Sequence, residues 1–372
     1  MKAGWLTVPL GFLCAIKNGK SDTQDAVESG EFAFFDRSRT VKRSTRFLFD
    51  CEALIIPGEG IEFLPRHFSG KFDLHQRAYA LHNFVGNIDV RFLYYYLHHR
   101  GDYLPSVAVG ATVKSLRMRH FEGFPVAITS LPEQHRIVAI LDAAFDGIAT
   151  AKANSEQNLL NVRALFESHL QMIFSERGER WVEKPLSDVC AITSSLVDPR
   201  KDEFLDLTHV GAGNIESQTG VFVDLKTARE EGLISGKFLF DESMVLYSKI
   251  RPYLMKVARP DFSGLCSADM YPLAPLPNEI TRDYLFHLLL SKPFTDYAIQ
   301  GSARAGMPKV NREHLFEFRV WLPNVEKQVE LSAKLDALLK ETQRLESLYR
   351  QKLAALEELK KSLLHQAFSG AL

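Results

Sequence analysis

WLTVPLGFLCAI, beginning at Trp5, returns as WVEKPLSDVCAI, beginning at Trp181, with Trp, Pro, Leu, Cys, Ala and Ile held at an offset of 176 residues. RFLFD at residues 46–50 returns as KFLFD at 237–241, and the pairs Phe47/Phe238, Gly110/Gly301 and Pro132/Pro323 share an offset of 191. HFSGKF from His67 also resembles DFSGLC from Asp261, with a small local shift. Chance readily supplies one match between short apolar runs. Several in the same order, with 15 extra residues early in the second copy, indicate a tandem duplication. The period lies far outside the roughly 20 to 50 residues of solenoid repeats, so the chain has to build one fold twice.

Each copy has two parts. The first mixes short β-rich runs such as EALIIP and SMVLYSKI, bounded by Pro and Gly, with a helical piece, FLYYYLHH in one copy and YLFHLLL in the other. This part reads as an α/β module. The second part opens at a Leu-Pro step, SLPEQHRIVAIL from Ser130 and WLPNVEKQVELSAKL from Trp321, and then runs on without another proline. Proline is tolerated at a helix start, and its absence downstream lets the helix continue. Over about 45 residues such a helix spans roughly 65 Å.

In the C-terminal helix Leu335, Leu338, Thr342, Leu345, Tyr349, Lys352, Leu356, Leu359 and Leu363 alternate in steps of three and four. That spacing predicts a coiled-coil seam with charged flanks. The central helix carries Ile137, Leu141, Ala144, Ile148, Ala151, Val162, Leu165 and His169 near the same spacing, interrupted by Gly147, Asn154 and Asn158. Two such helices are expected to pack on each other, antiparallel, with a globular module at each end.

The 372 residues exceed one ordinary core, and 46% hydrophobic with 24% charged content fits a folded, ordered protein. Cys14, Cys51, Cys190 and Cys266 stand far apart without a CxxC pair, which argues against a disulfide framework or a zinc site and suggests a reducing cytoplasm. Cys14 and Cys190, paired by the repeat among apolar neighbours, read as small core residues. No apolar run reaches the roughly 18 residues of a membrane span, and no segment reads as a signal peptide. Lys and Arg number 45 against 46 Asp and Glu, so any polyanion site has to be local.

Catalytic signatures are missing. KNGKS at 17–21 ends like a phosphate loop but has Cys14 where that loop needs glycine, and GAG at 211–213 lacks the third glycine of a dinucleotide site. His98, His99 and His169 sit on helical, partly apolar surfaces, where a packed or solvated histidine is the ordinary explanation. No HExxH, GxSxG or EF-hand loop is present. The chain does carry local clusters of positive charge with aromatics and hydroxyls interleaved. FFDRSRTVKRSTR (34–46) contributes Arg37, Arg39, Lys42, Arg43 and Arg46 against Asp36, and YSKIRPYLMKVARP (247–260) contributes Lys249, Arg251, Lys256 and Arg259 against no acid. VKSLRMRH (113–120) adds Lys114 and Arg117, and GSARAGMPKVNR (301–312) adds Arg304, Lys309 and Arg312. Each could be a solvated loop. In both modules, they are what a groove reader presents to phosphates and guanine edges.

LPEQHRIVAILD from Leu131, YSKIRPYL from Tyr247, GSARAGMPKVNREHLFEFRVWLP from Gly301 and the ending LLHQAFSGAL from Leu363 together resemble the specificity (S) subunits of type I restriction-modification systems, across essentially the whole chain. The chain departs from that pattern at LPNVEKQVEL, where Leu-Pro is commonly followed closely by Glu-Gln, and at Ala371, where an acid is frequent. ATVKSLRM in the first module also replaces the RAGMPK-like loop of the second.

The resemblance implies an α+β fold: two α/β target-recognition domains in a pseudo-twofold tandem repeat, separated by two long antiparallel coiled-coil helices. The domains would be residues 1–130 and 179–322, and the spacer residues 131–178 and 323–372. Leu141, Ile148, Val162, Leu335, Leu338, Leu345, Leu356, Leu359 and Leu363 are the expected spacer contacts. The resemblance further implies a non-catalytic reader of bipartite double-stranded DNA with two modification (methyltransferase) subunits and restriction (translocase and nuclease) subunits as partners. S-adenosylmethionine, ATP and Mg would belong to those partners, with no cofactor or metal here. An isolated subunit with uncovered spacer surface could self-dimerise. Two other classes stay open on the residues alone: a coiled-coil scaffold without DNA readout, and a nuclease or methyltransferase with dispersed acidic residues.

Overall fold

The structure, a computed structural model, describes residues 4–175, 178–302 and 308–372. The chain divides into two compact units, the first drawn from Met1–Ser155 and Lys352–Leu372, the second from Glu156–Gln351.

In the first unit the run ALII at residues 53–56 lies in a nine-residue strand, Phe49–Pro57, at the middle of a six-stranded sheet. Ala53 and Ile55 join one apolar cluster with Phe35, Phe72 and Leu74, while Leu54 and Ile56 join the other with Leu81, Phe92 and Leu93. A strand buried on both faces needs a continuous apolar run, which is what the sequence supplies. The strands are ordered Ala15–Asn18, Ala78–His82, Phe49–Pro57, Arg66–Leu74, Phe32–Phe35 and Lys42–Ser44. All neighbours are antiparallel except Phe32–Phe35, which runs parallel to Arg66–Leu74. The helix Val90–His99 covers one face through Phe92, Leu93 and Tyr96.

The second unit repeats this pairing order with its long strands broken. Lys237–Phe240 and Val245–Ser248 stand where the first unit has Phe49–Pro57, and Val257–Ala258 and Gly264–Cys266 stand where it has Arg66–Leu74. Thr208–Val210 again pairs in parallel, with Gly264–Cys266. The first break is a turn in which Asp241 Oδ1 accepts from the Ser243 amide and hydroxyl at 2.8 and 2.5 Å. One sheet thereby becomes two, of four and five strands. The repeated pentapeptide leads into the equivalent strand in both copies, and its second phenylalanine is buried in each: Phe49 is paired with Phe72 and Phe240 with Gly264.

The tryptophan-led repeat is a second shared device. Leu6–Pro9 pairs antiparallel with Pro125–Ile128, and Val182–Pro185 with Arg319–Leu322, so each module's first strand closes on its last. The next residue, Leu10 or Leu186, is fully buried. Cys14 Sγ and Cys190 Sγ lie 3.7 and 3.5 Å from the carbonyls of those leucines, and burial pushes both thiols up to about 12. Both are core cysteines, as the repeat suggested.

Each last strand delivers the chain into a 45-residue helix, Leu131–Ser175 or Val325–Ser369. The fourth residue of each is a fully buried glutamine. Gln134 Oε1 accepts from the Asp89 amide at 2.8 Å, while its Nε2 donates to the carbonyls of Asn87 and Thr129 at 3.0 and 2.7 Å. Gln328 repeats all three bonds, to the Thr281 amide at 2.8 Å and to the carbonyls of Glu279 and Pro323 at 2.9 and 3.0 Å. The equivalence of Gln134 with Gln328 corrects the expected match of Pro132 with Pro323. The second helix starts beyond its proline, and its fourth residue is the amide that Leu-Pro-Glu-Gln supplies in the first copy.

Two turns further on stands a carboxylate. Asp142 is bound by Tyr95 Oη and, at 2.7 Å, by Arg91 Nη2. Asp336 is bound by His287 Nε2 at 2.9 Å and Arg259 Nη2 at 2.7 Å. Burial opposes ionisation of Asp336, but the bonds from His287 and Arg259 overcome it and hold the carboxyl well below the usual range. In the first copy, burial and the bond to Asp142 push Tyr95 up to about 12.

These anchors change how the helix surfaces are used. Leu141 and Leu335 are buried in apolar clusters that hold module residues together with residues of both long helices, and Leu338 packs against the second of these clusters. Phe166 and Leu170 are buried where Leu165 and His169 were expected, and Leu359 is 46% exposed. Ile148, Val162, Leu345, Leu356 and Leu363 are half-buried. The helices run antiparallel in each unit. Arg163 Nε donates to Glu346 Oε1 at 2.6 Å in the second. In the first, Lys152 Nζ reaches Glu357 at 2.7 Å and Arg136 reaches the Leu372 carbonyl at 3.0 Å. Among the described residues no helix is long and apolar enough to cross a membrane.

Gln328→Leu removes the side-chain partner of three backbone groups, one of them on the buried Pro323, so it should destabilise the second unit by about 1–3 kcal/mol, measured by chemical denaturation. Burial, reinforced by Lys360, pushes the His98 imidazole down to about 4. The unfolded chain therefore takes up a proton that the folded chain refuses as pH drops from about 6.5 towards 4, and the first unit loses stability across that window. His98→Gln should shrink the fall in melting temperature between about pH 7 and pH 5.

Candidate nucleic-acid interface

The expected basic residues divide into two groups, those that brace loops from within and those that face solvent. In the first module the loop at 36–42 is tied down by Asp36, which is 2% exposed and accepts from Lys42 Nζ at 2.6 Å and the Ser38 hydroxyl at 2.6 Å. Burial alone would raise the Asp36 pKa, but these bonds outweigh it and the carboxyl is held below its ordinary value. Arg66 clamps the same loop, donating to the carbonyls of Asp36 and Ser38 at 2.9 and 3.0 Å while lying over the Phe35 ring. Lys42 is thus part of the brace.

Arg37 and Arg39 project from that loop, with side chains 62% and 88% exposed, beside Glu59 and Glu62. Such exposed pairs contribute little and exchange partners readily. Arg43 is exposed and has no side-chain partner among the described residues. Lys114 Nζ donates to the Pro105 carbonyl at 2.8 Å, and Arg117 is exposed just before the short helix Met118–Glu122. Composition did not single out Lys71, whose ammonium lies 4.8 Å from the centre of the 45% exposed Phe47 ring.

In the second module the segment 247–260 differs most from expectation. Lys249 has a side chain only 12% exposed, its ammonium on the Ala268 carbonyl and 5.2 Å from the Tyr271 ring centre; burial and nearby Lys309 push its pKa down. Lys256 Nζ donates to the Ala212 carbonyl at 2.6 Å, and Arg259 is held by Asp336 and Asp283. Arg251 alone of the four basic residues faces outward, with no side-chain partner among the described residues. Lys309 is 47% exposed and 3.5 Å from Asp269, while exposed Arg312 touches the Ile192 carbonyl at 3.2 Å. Arg304 lies outside the described residues.

The loops here are shaped by unusual backbone. Arg251 and Met255 hold left-handed φ values of 49° and 46°, and Gln218, whose amide donates to the Met255 carbonyl at 3.1 Å, has a φ of 67°. Each such non-glycine residue costs roughly 1–3 kcal/mol and persists only where surrounding contacts impose it. Gly220 at φ 72° fits because a Cβ there would stand 2.8 Å from Phe286. Gln218, Tyr253 and Met255 also line a cavity of about 650 Å³ with Phe166, Leu170 and Gln343. Among the described residues no cluster of three or more His, Cys, Asp or Glu side chains converges to hold a metal ion.

The family model for the type I restriction modification DNA specificity domain matches residues 2–160 and again 178–357. The chain belongs to the specificity subunits of type I restriction-modification systems. It is 29% identical over 401 residues to the type I restriction enzyme EcoDI specificity subunit of Escherichia coli, covering 99% of this chain and 88% of that protein. The crystal structure of the HsdS subunit from Thermoanaerobacter tengcongensis shares the fold at a TM-score of 0.58 with 16% identity, covering 100% of this chain and 98% of that one. A chain from a structural study of the assembly and conformational transition of a type I restriction-modification system superposes at 0.72 with 14% identity, covering 100% and 99%.

In this specificity subunit Lys256→Met should remove an internal brace. We expect a loss of about 1 kcal/mol in stability and an unchanged slope of log affinity for DNA against log salt, since no phosphate contact is lost. Salt titrations of wild type and variant, each assembled with the other subunits of its system, check this.

Proposed function

We propose that this specificity subunit reads a bipartite double-stranded DNA target, one recognition module per half-site, with the paired helices fixing the gap. The observation that carries the reading is the duplicated anchor. Gln134 with Asp142 and Gln328 with Asp336 lock each module onto its own helix through charged and amide bonds at 2.7 to 2.9 Å. A module fixed this way moves only with its helix, so helix length becomes a ruler. A stiff linkage also turns two weak readers into one tight one by raising effective concentration. Arg37, Arg39 and Arg43, with Lys114 and Arg117, are the proposed phosphate contacts of the first module, and Lys309 and Arg312 those of the second, with Arg304 in the same stretch.

The chain itself would be non-catalytic, with S-adenosylmethionine, ATP and Mg serving partner subunits. Leu160, Leu165, Met172 and Leu348 are 46 to 60% exposed on the helices, an apolar surface suited to two docked methyltransferase subunits, with restriction subunits joining that assembly. Left uncovered, the same surface would favour self-association of the isolated chain.

Removing seven residues from the middle of each helix keeps every side chain on its face while shortening the ruler. Co-expressed with the adjacent methyltransferase and mapped by single-molecule sequencing of methylated genomic DNA, the shortened subunit should yield a bipartite motif with a smaller gap. An unchanged gap would remove the helices as the measuring element.

A further inference from the structure

We infer that Arg251 is a base reader of the second recognition module, its guanidinium aimed at a guanine edge in the half-site that this module reads; this rests on the function proposed above. The inference begins with the contrast inside one segment. Lys249, Lys256 and Arg259 turn inward onto the Ala268 carbonyl, the Ala212 carbonyl and the Asp336 and Asp283 carboxylates. Arg251, between them, turns out. A loop that spends its other cations on internal bonds while leaving one exposed presents that one as a tip.

The tip is rigid. The Arg251 amide donates to the Pro308 carbonyl at 2.9 Å, its carbonyl accepts from the Leu254 amide at 2.9 Å, and Val310 donates to the Lys249 carbonyl at 2.8 Å. Ile250 forms an isolated antiparallel bridge with Lys309. Pro252 follows directly and removes backbone freedom, and the left-handed turn at Met255, four residues on, is braced by the neighbouring loop through Gln218. That loop is in turn held by Gln343, whose Nε2 donates to the Thr219 carbonyl at 3.2 Å. A phosphate contact needs only a charge within reach and tolerates a swinging side chain. A fork that has to meet two acceptors on one base edge gains from a fixed backbone origin. Tyr253, two residues beyond the tip and half exposed, is a ring suited to packing on a thymine methyl.

The test compares wild type with Arg251→Lys and Arg251→Ala, each in complex with the methyltransferase, by methylation mapping and by salt titration of binding. Lysine keeps the charge and loses the fork. We expect Arg251→Lys to retain the wild-type salt slope while losing roughly 5- to 150-fold of discrimination at one position. That position should lie in one half-site, with the other half-site and the gap unchanged. If Arg251→Lys keeps the full motif and Arg251→Ala only lowers the salt slope by about one, Arg251 is a phosphate contact and the inference falls. If wild type itself yields no bipartite motif, the proposed function fails first and takes the inference with it. Thermal melts of both variants separate these outcomes from misfolding, because an exposed side chain should leave the melting temperature unchanged.

Discussion

A glutamine side chain with no access to water stands at the fourth position of each long helix, and the rest of the architecture depends on what it holds. Its carboxamide satisfies the backbone amide that begins the module's own helix and two carbonyls on either side of the junction. A backbone group left without a partner is expensive, and at the second junction one of them, on Pro323, belongs to a buried residue. Only an amide offers one acceptor and two donors in this plane; glutamate could not donate and lysine could not accept. The junction between module and helix is therefore specified chemically, whereas an apolar contact would allow sliding.

The carboxylate two turns later makes the junction stiff by adding a second point of attachment. The two copies solve the same problem with different chemistry. Asp142 meets a tyrosine and an arginine from the module's helix, and Asp336 meets a histidine from the equivalent position together with Arg259 from a strand-end loop. The Arg259 guanidinium also lies 4.2 Å from the Phe286 ring centre, a cation on an aromatic face. Conserving the role while exchanging the partners is what a duplicated fold does once its halves are free to diverge.

The duplication, the two helices and the two-part build of each copy were legible because they rest on periodicities and repeats that survive in one dimension. The anchors were not. Gln328 hides behind LPNVEKQ, where the proline draws the eye to the wrong alignment, and its equivalence with Gln134 shows only when both helices are counted from their first turn. Basic clusters were legible as charge but not as geometry. Lys249 and Lys256 look like neighbours of Arg251 in the sequence, yet their ammonium groups are captured by carbonyls 19 and 44 residues away. Composition cannot distinguish a cation that braces a loop from one that projects from it. The broken strands of the second module escaped notice for a related reason: a turn closed by Asp241 and Ser243 interrupts an otherwise continuous apolar pattern.

The heptad reading failed at specific positions, and those failures explain how the helices are used. A leucine at each seam position would make the helix pair strong and unspecific. Here the middle of the seam in the second unit is polar, with Thr342 and Glu346 buried and Arg163 bound to Glu346 from the opposite helix, while Arg350 reaches the same carboxylate at 3.1 Å. A partly buried ion cluster adds little net stability, because desolvation cancels most of the attraction, but breaking it is costly. A slip of seven residues in one direction would set Glu346 against Glu156 and Arg163 against Leu339; in the other it would set Glu346 against Leu170. Either alternative buries an unpaired charge, so the polar seam selects a register that apolar packing alone would leave degenerate. Leu141 and Leu335 join the module clusters to the helices, while Leu359, a seam position by spacing, stands on the outer surface.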